Sequence, residues 1–163
     1  MPSRNDPNAR DMLRHSLAVI AYRCGKTVRD APQAFVDFHA GHKVRTPLEI
    51  LAHIGDLLAW ALSMAKGQPV WHPAEALPWP EEVQRFFDSL KSFDDYLAGS
   101  SELRAPPPKI LQGPVADALQ HVGQLAMLRR LSGTPIHGED FYNADIAAGR
   151  VGPQQPPPKF EFD

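Results

Sequence analysis

Asp117 and His121 are four residues apart in Asp117-Ala118-Leu119-Gln120-His121, a spacing that on a helix sets both side chains on one face with Cβ atoms about 5–6 Å apart. Two donors so placed can close on one metal ion. A third candidate lies far upstream: His53, set among Ile50, Ile54, Leu57 and Trp60, falls on or beside the buried face of an apolar segment. Two imidazoles and one carboxylate leave positions open on a divalent ion for water or substrate, as metal sites that do chemistry require. Each residue also has an ordinary structural role open to it. A lone His on an apolar face is commonly a core residue with one hydrogen bond, and an Asp in the first turn of a helix fits a cap or dipole role.

Other residues could support such a site. Gln124, one turn beyond His121, could orient a bound water or make a helix–helix hydrogen bond; Asp56, three residues after His53, could take the imidazole's other N–H or face solvent. His39 and His42 could line the mouth of a cavity, and His72 and His137 lie in loops. Trp60, Trp71 and Trp79 read as core or loop anchors, given the area each buries. Cys24 reads as a small buried hydrophobe rather than a nucleophile.

The elements that must position these side chains are marked by proline. The chain has 17 prolines in 163 residues, about twice the usual share, and they leave four helix-sized windows free, 8–31, 48–68, 81–105 and 115–134. The first carries Met12, Leu13, Leu17, Ile20, Ala21 and Cys24 at helical spacing from Arg10 to about Val28. The second opens on Thr46-Pro47-Leu48-Glu49, a capping box with proline in the first turn, and ends near Lys66-Gly67. The third begins after Pro80 with Glu81-Glu82, places Phe86, Phe87, Leu90, Phe93 and Leu97 on one face and stops at Gly99. The fourth starts at Gly113-Pro114 and runs to Leu131, with Arg129-Arg130 at its negative end and Gly133-Thr134-Pro135 as a stop.

Four amphipathic helices and no convincing strand predict an all-α four-helix bundle over residues 1–138, with an extended proline-rich C-terminal extension over 139–163. The linker at 67–80 could span about 46 Å, more than a helix length of about 31 Å, and 99–112 is equally long, so the order of helices stays open. Asp140-Phe141-Tyr142 and Phe160-Glu161-Phe162 could fasten the extension onto the body or onto a second subunit.

Composition excludes several classes. With 43% hydrophobic and 22% charged residues the chain is globular rather than disordered, and a net charge of −2 offers no basic excess for nucleic acid. Cys24 as the sole cysteine fits a reducing compartment. No export signal is seen and no run approaches the ~20 apolar residues of a membrane span, so the expectation is a soluble cytoplasmic protein.

The strings T-P-L-E-I-L-A-H-I-G-D-L-L-A-W (46–60) and D-A-L-Q-H-V-G-Q-L-A-M-L-R-R-L-S-G-T-P-I (117–136) resemble the DinB-like superfamily of metal-binding four-helix bundles, which includes YfiT-type hydrolases and thiol-dependent transferases and isomerases. That pattern has a helix-two His, matched by His53, and a helix-four H-x-x-x-H reading on as H-x-G-Q-L, matched by His121-Val122-Gly123-Gln124-Leu125. The likeness spans about residues 8–136. Asp117 stands where the commoner pattern has its first helix-four His; branches such as the mycothiol-dependent maleylpyruvate isomerases look like they use a carboxylate there, and the shorter Asp would reach an ion directly or through water. The resemblance implies a divalent metal (Zn, Ni or Fe) on His53, Asp117 and His121. It implies hydrolysis or thiol transfer on a small-molecule substrate, or else a non-catalytic module of the same fold with a degenerate site; the aromatic tail is the segment expected to join two copies as a homodimer.

Overall fold

A computed structural model describes residues 6–163 of the chain. The long helices are α1 (Pro7–Val28), α3 (Pro47–Ala65), α4 (Trp79–Ala98) and α6 (Ala116–Leu131), with single helical turns α2 (Gln33–Val36) and α5 (Pro107–Ile110) in the connections. The architecture is all-α and bundle-like, with its long helices in the proline-free windows. Their starts follow local chemistry. Asp6 accepts from the Asn8 amide at 3.0 Å and Pro7 occupies the first turn, so α1 begins three residues before the apolar stripe that announced it.

Thr46 and Glu49 form the expected capping box on α3: the Glu49 amide donates to Thr46 Oγ1 at 3.2 Å and the Thr46 amide to Glu49 Oε2 at 2.7 Å. That backbone hydrogen bond holds the Glu49 carboxyl below its ordinary value. Its contribution to stability is therefore present above the ordinary carboxylate range and lost as pH falls through the depressed value. Thr46→Ala is expected to cost about 1 kcal/mol, a fall in Tm of about 2–4 °C in a thermal melt.

Three readings need correction. The fourth helix does not begin at Gly113-Pro114. The chain is already helical from Pro107, passes through a wide π-turn over Leu111–Val115 and enters α6 across a kink at Gly113 (φ −90°, ψ −106°), beside Pro114, which has no amide hydrogen to donate. Asp117 is thus ten residues into a kinked helical segment, with turns preceding its own. A short antiparallel pair is also present, β1 (Gly138–Glu139) with β2 (Glu161–Phe162), in register Gly138↔Phe162. Lastly, α3 has the length and the mean hydropathy (1.4) of a membrane span, although 56% of it is buried; its Glu49, His53 and Asp56 hid this in the sequence, because they interrupt every apolar run.

Hydrogen bonds give the helix directions. Near the start of α1, Arg10 donates to the carbonyls of Leu97 (3.1 Å) and Gly99 (3.2 Å) at the end of α4, and Arg14 forks onto Asp94, so α1 and α4 are antiparallel. By contrast, Arg85 near the start of α4 reaches the Ala52 carbonyl at 2.8 Å near the start of α3, while Tyr96 Oη reaches the Ala65 carbonyl at 3.1 Å at their far ends; these two helices are parallel. The linker between them therefore runs the length of the bundle. Both α1 and α3 pack against α4 and α6, so α1 faces α3 across the diagonal. Leu17, Ile20, Cys24, Leu51, Ile54, Leu58, Phe86, Leu90, Phe93 and Leu125 fill the centre.

The crossover is pinned by one buried cluster. Arg85 pairs with Asp56 (2.9 Å) and Glu82 (2.6 Å), and the same carboxylates accept the amides of Ala74 (3.3 Å) and Leu77 (2.9 Å) in the linker. Gly55 makes room for this guanidinium, since a Cβ there would stand 3.3 Å from Arg85 Cζ. The C-terminal extension docks on its own body. Glu139 is buried and accepts from Tyr22 Oη (2.6 Å) and Lys26 Nζ (2.8 Å), Lys26 also pairs with Glu161 at 2.6 Å, and Val151 joins the core.

Candidate metal centre

The antiparallel packing of α3 against α6 brings His53 opposite His121, their ring centroids 4.7 Å apart at 83°. Nδ1 of His121 lies 2.7 Å from Oε1 of Gln124, one helical turn on. A carbonyl oxygen only accepts, so the ring carries its proton on Nδ1 and Nε2 is left as a lone pair. That Nε2 stands 3.4 Å from Asp117 Oδ1. Two lone-pair atoms facing each other at this distance can share a bound metal ion.

The third donor favours the metal. One donor atom from each of His53, Asp117 and His121 lies within 4.8 Å of the others, and donors held at about 2.1 Å on a tetrahedral ion stand about 3.4 Å apart. The Asp117–His121 spacing already meets this, and the His53 donor atom lies within 4.8 Å of both. Burial pulls the His53 imidazole below its ordinary value, helped by the charges of Arg45 and His121 and opposed by those of Asp117 and Asp56. The neutral imidazole is the form that ligates. These residues could therefore hold a divalent metal, with His121 buried, His53 half-buried and the Asp117 side chain 43% exposed.

The surroundings differ from the sequence reading at several points. Asp56 is neither a partner of His53 nor in solvent; it is buried and committed to Arg85. Gln124 bonds to His121 within α6 and so orients a candidate ligand. His39, His42 and His72 are exposed. The cavity beside His121, about 450 Å³, is walled instead by Lys43, Val44, Arg45, Ile50, Gln124, Met127 and Leu128. His137 bonds to the Asp163 carbonyl at 2.7 Å in the extension, and Trp79 packs edge-on against Phe35. Cys24 is fully buried and its thiol pushed well up by burial, which removes it as a nucleophile.

Sequence reasoning missed Trp71 and Arg45 as parts of the site. Trp71, on the crossover, sets its ring edge-on to His53 (centroids 5.7 Å apart) and to Trp60 (5.5 Å). Nothing in a loop tryptophan's neighbours announces this, because the contact exists only once the linker crosses the bundle. Arg45 had a weak signal in its position just before the Thr46 cap, at the start of the helix that carries His53.

Fold and site together define a helical bundle with a His–Asp–His cluster able to hold a metal ion. Protein-family models, curated proteins and solved structures contain no match to the chain.

Proposed function

We propose that this chain is a DinB-like divalent-metal-binding protein that promotes hydrolysis or thiol transfer on a small molecule. The observation that carries the reading is the pairing of a lone-pair His121 Nε2, fixed by Gln124, with Asp117 Oδ1 3.4 Å away and His53 beside them. A bound Zn, Ni or Fe(II) ion would supply Lewis acidity and make a coordinated water or thiol a stronger nucleophile near neutral pH. His53, Asp117 and His121 would hold it. Gln124 keeps the His121 proton on Nδ1, and Trp71 packs its ring edge-on against His53. Lys43 and Arg45 place positive charge beside a wall of Ile50, Met127 and Leu128, which suits a small anionic substrate with an apolar body.

Elemental analysis of protein expressed without a histidine tag tests the reading. One equivalent of metal, lost in His53→Ala, is expected; no stoichiometric metal in the wild type would overturn it. Gln124→Ala is expected to weaken metal affinity about 10–100-fold with little change in the metal-free melting temperature, as a competitive chelator titration would show. A second reading, a non-catalytic module with a degenerate site, draws on the exposure of the Asp117 carboxylate. Under that reading Asp117→Asn would leave metal content unchanged.

A further inference from the structure

Arg129 has no role in the metal centre, and its setting is costly. It is 8% exposed, near the end of α6, and its Nε and Nη1 are buried with no hydrogen-bond partner among the described residues. It lies over the face of Phe35, 5.2 Å from the ring centroid. A ring face offsets part of the cost of burying a cation but accepts none of the in-plane N–H bonds of a guanidinium. Burial pulls Arg129 below its ordinary basicity, with no carboxylate raising it. A buried charge left this way should be removed by selection for stability alone, since an apolar side chain of similar volume is commonly neutral or better.

A pocket adjoins this guanidinium, with Nε and Nη1 themselves beneath its surface. Arg129 lines a cavity of about 290 Å³ between the ends of α1 and α6 and the docked C-terminal extension. Ile136, Pro156 and Pro158 give it apolar walls; its charged lining is Arg29 and Asp30 beside Arg129, with Lys26 already neutralised by Glu139 and by Glu161, which also lines it. Arg129 and His121 are eight residues apart on α6, about 12 Å along the axis, and their cavities share no lining residue.

We propose that this pocket is a second ligand site, separate from the metal centre, in which the Arg129 guanidinium takes the oxyanion of a small organic acid while the proline and Ile136 walls cover its body. Carboxylates and phosphate monoesters share the geometry that matches the guanidinium fork, and the volume admits a body about the size of one aromatic ring.

Isothermal titration of the metal-free full chain with benzoate, phenyl phosphate and benzamide tests this. Saturable binding of benzoate or phenyl phosphate at about millimolar or tighter is expected, with benzamide about tenfold to a hundredfold weaker; the tighter of the two anions tells a carboxylate site from a phosphate site. In Arg129→Met the anion binding falls by the same factor, while the ligand-free melting temperature holds or rises. Binding of neither anion by the wild type would overturn the proposal, as would equal binding of benzamide or equal affinities in Arg129→Met. A marked fall in the ligand-free melting temperature of Arg129→Met would assign Arg129 to the core instead. His53→Ala is expected to bind the anions as the wild type does; loss there would place them at the metal centre and overturn the proposal too.

Discussion

Replacing Arg85 with alanine is expected to lower the melting temperature by about 8–15 °C. Arg85 is the shared partner of two carboxylates, Asp56 and Glu82, whose side chains are 7% and 0% exposed. Removing one partner of a buried ion pair costs about 3–5 kcal/mol because the remaining charge is stranded, and a domain of this size loses about 2–4 °C per kcal/mol. The alanine also opens a gap beside Gly55 and frees the Ala52 carbonyl. Since Asp56 and Glu82 hold the linker amides of Ala74 and Leu77, loosening them should reach Trp71 on the same linker. Thermal denaturation reads the first effect, and tryptophan fluorescence at temperatures below the transition reads the second. A variant that melts with the wild type would show that the cluster is solvated and not holding α3 to α4.

His121→Ala is expected to remove most of the metal-dependent stabilisation. His121 is the most buried of the three candidate ligands and the only one whose tautomer is fixed by a neighbour. If a three-ligand site is scaled from the apparent 10–16 kcal/mol of four-ligand structural zinc sites, each donor is worth about 3 kcal/mol, or on the order of 10²-fold in affinity. For the wild type, added metal at about 100 times its Kd should contribute about 2.7 kcal/mol, a rise of about 5–10 °C. At the same concentration, now about equal to its own Kd, the variant should gain only about 0.4 kcal/mol, a rise of about 1–2 °C. The metal-free melting temperature of the variant is the reference, since deleting a buried ring also costs packing. Equal metal-induced shifts in the two proteins would place the ion elsewhere or nowhere.

Legibility varied with the range of the interactions. The Thr46–Glu49 box and the Gly99 stop could be read directly because they are satisfied within one turn. The start of α6 could not: Gly113-Pro114 looks like a beginning, yet upstream packing of Pro107 and Ile110 lets the chain coil through it as a π-turn. The Asp117–His121 spacing was likewise local and is realised as contact on one face. Asp56 was misjudged because its partner is 29 residues away on a helix whose direction the sequence left open. The Phe160-Glu161-Phe162 segment was readable as a fastening, but only the fold shows that it closes on Lys26 and Gly138 of its own chain.

By itself, then, the sequence determined the four helical windows, the α3 cap, the stripe that becomes the core and the one-face placement of Asp117 with His121, because each depends on backbone periodicity and on bonds within a turn. Tertiary structure alone decided that α3 and α4 run parallel, that His53 meets His121 across an antiparallel pair, that Trp71 sets its ring against His53 and that two Arg129 nitrogens are buried without an acceptor. Those are relations between residues far apart in the chain, and they are set by which faces pack together, a choice that helix periodicity leaves degenerate.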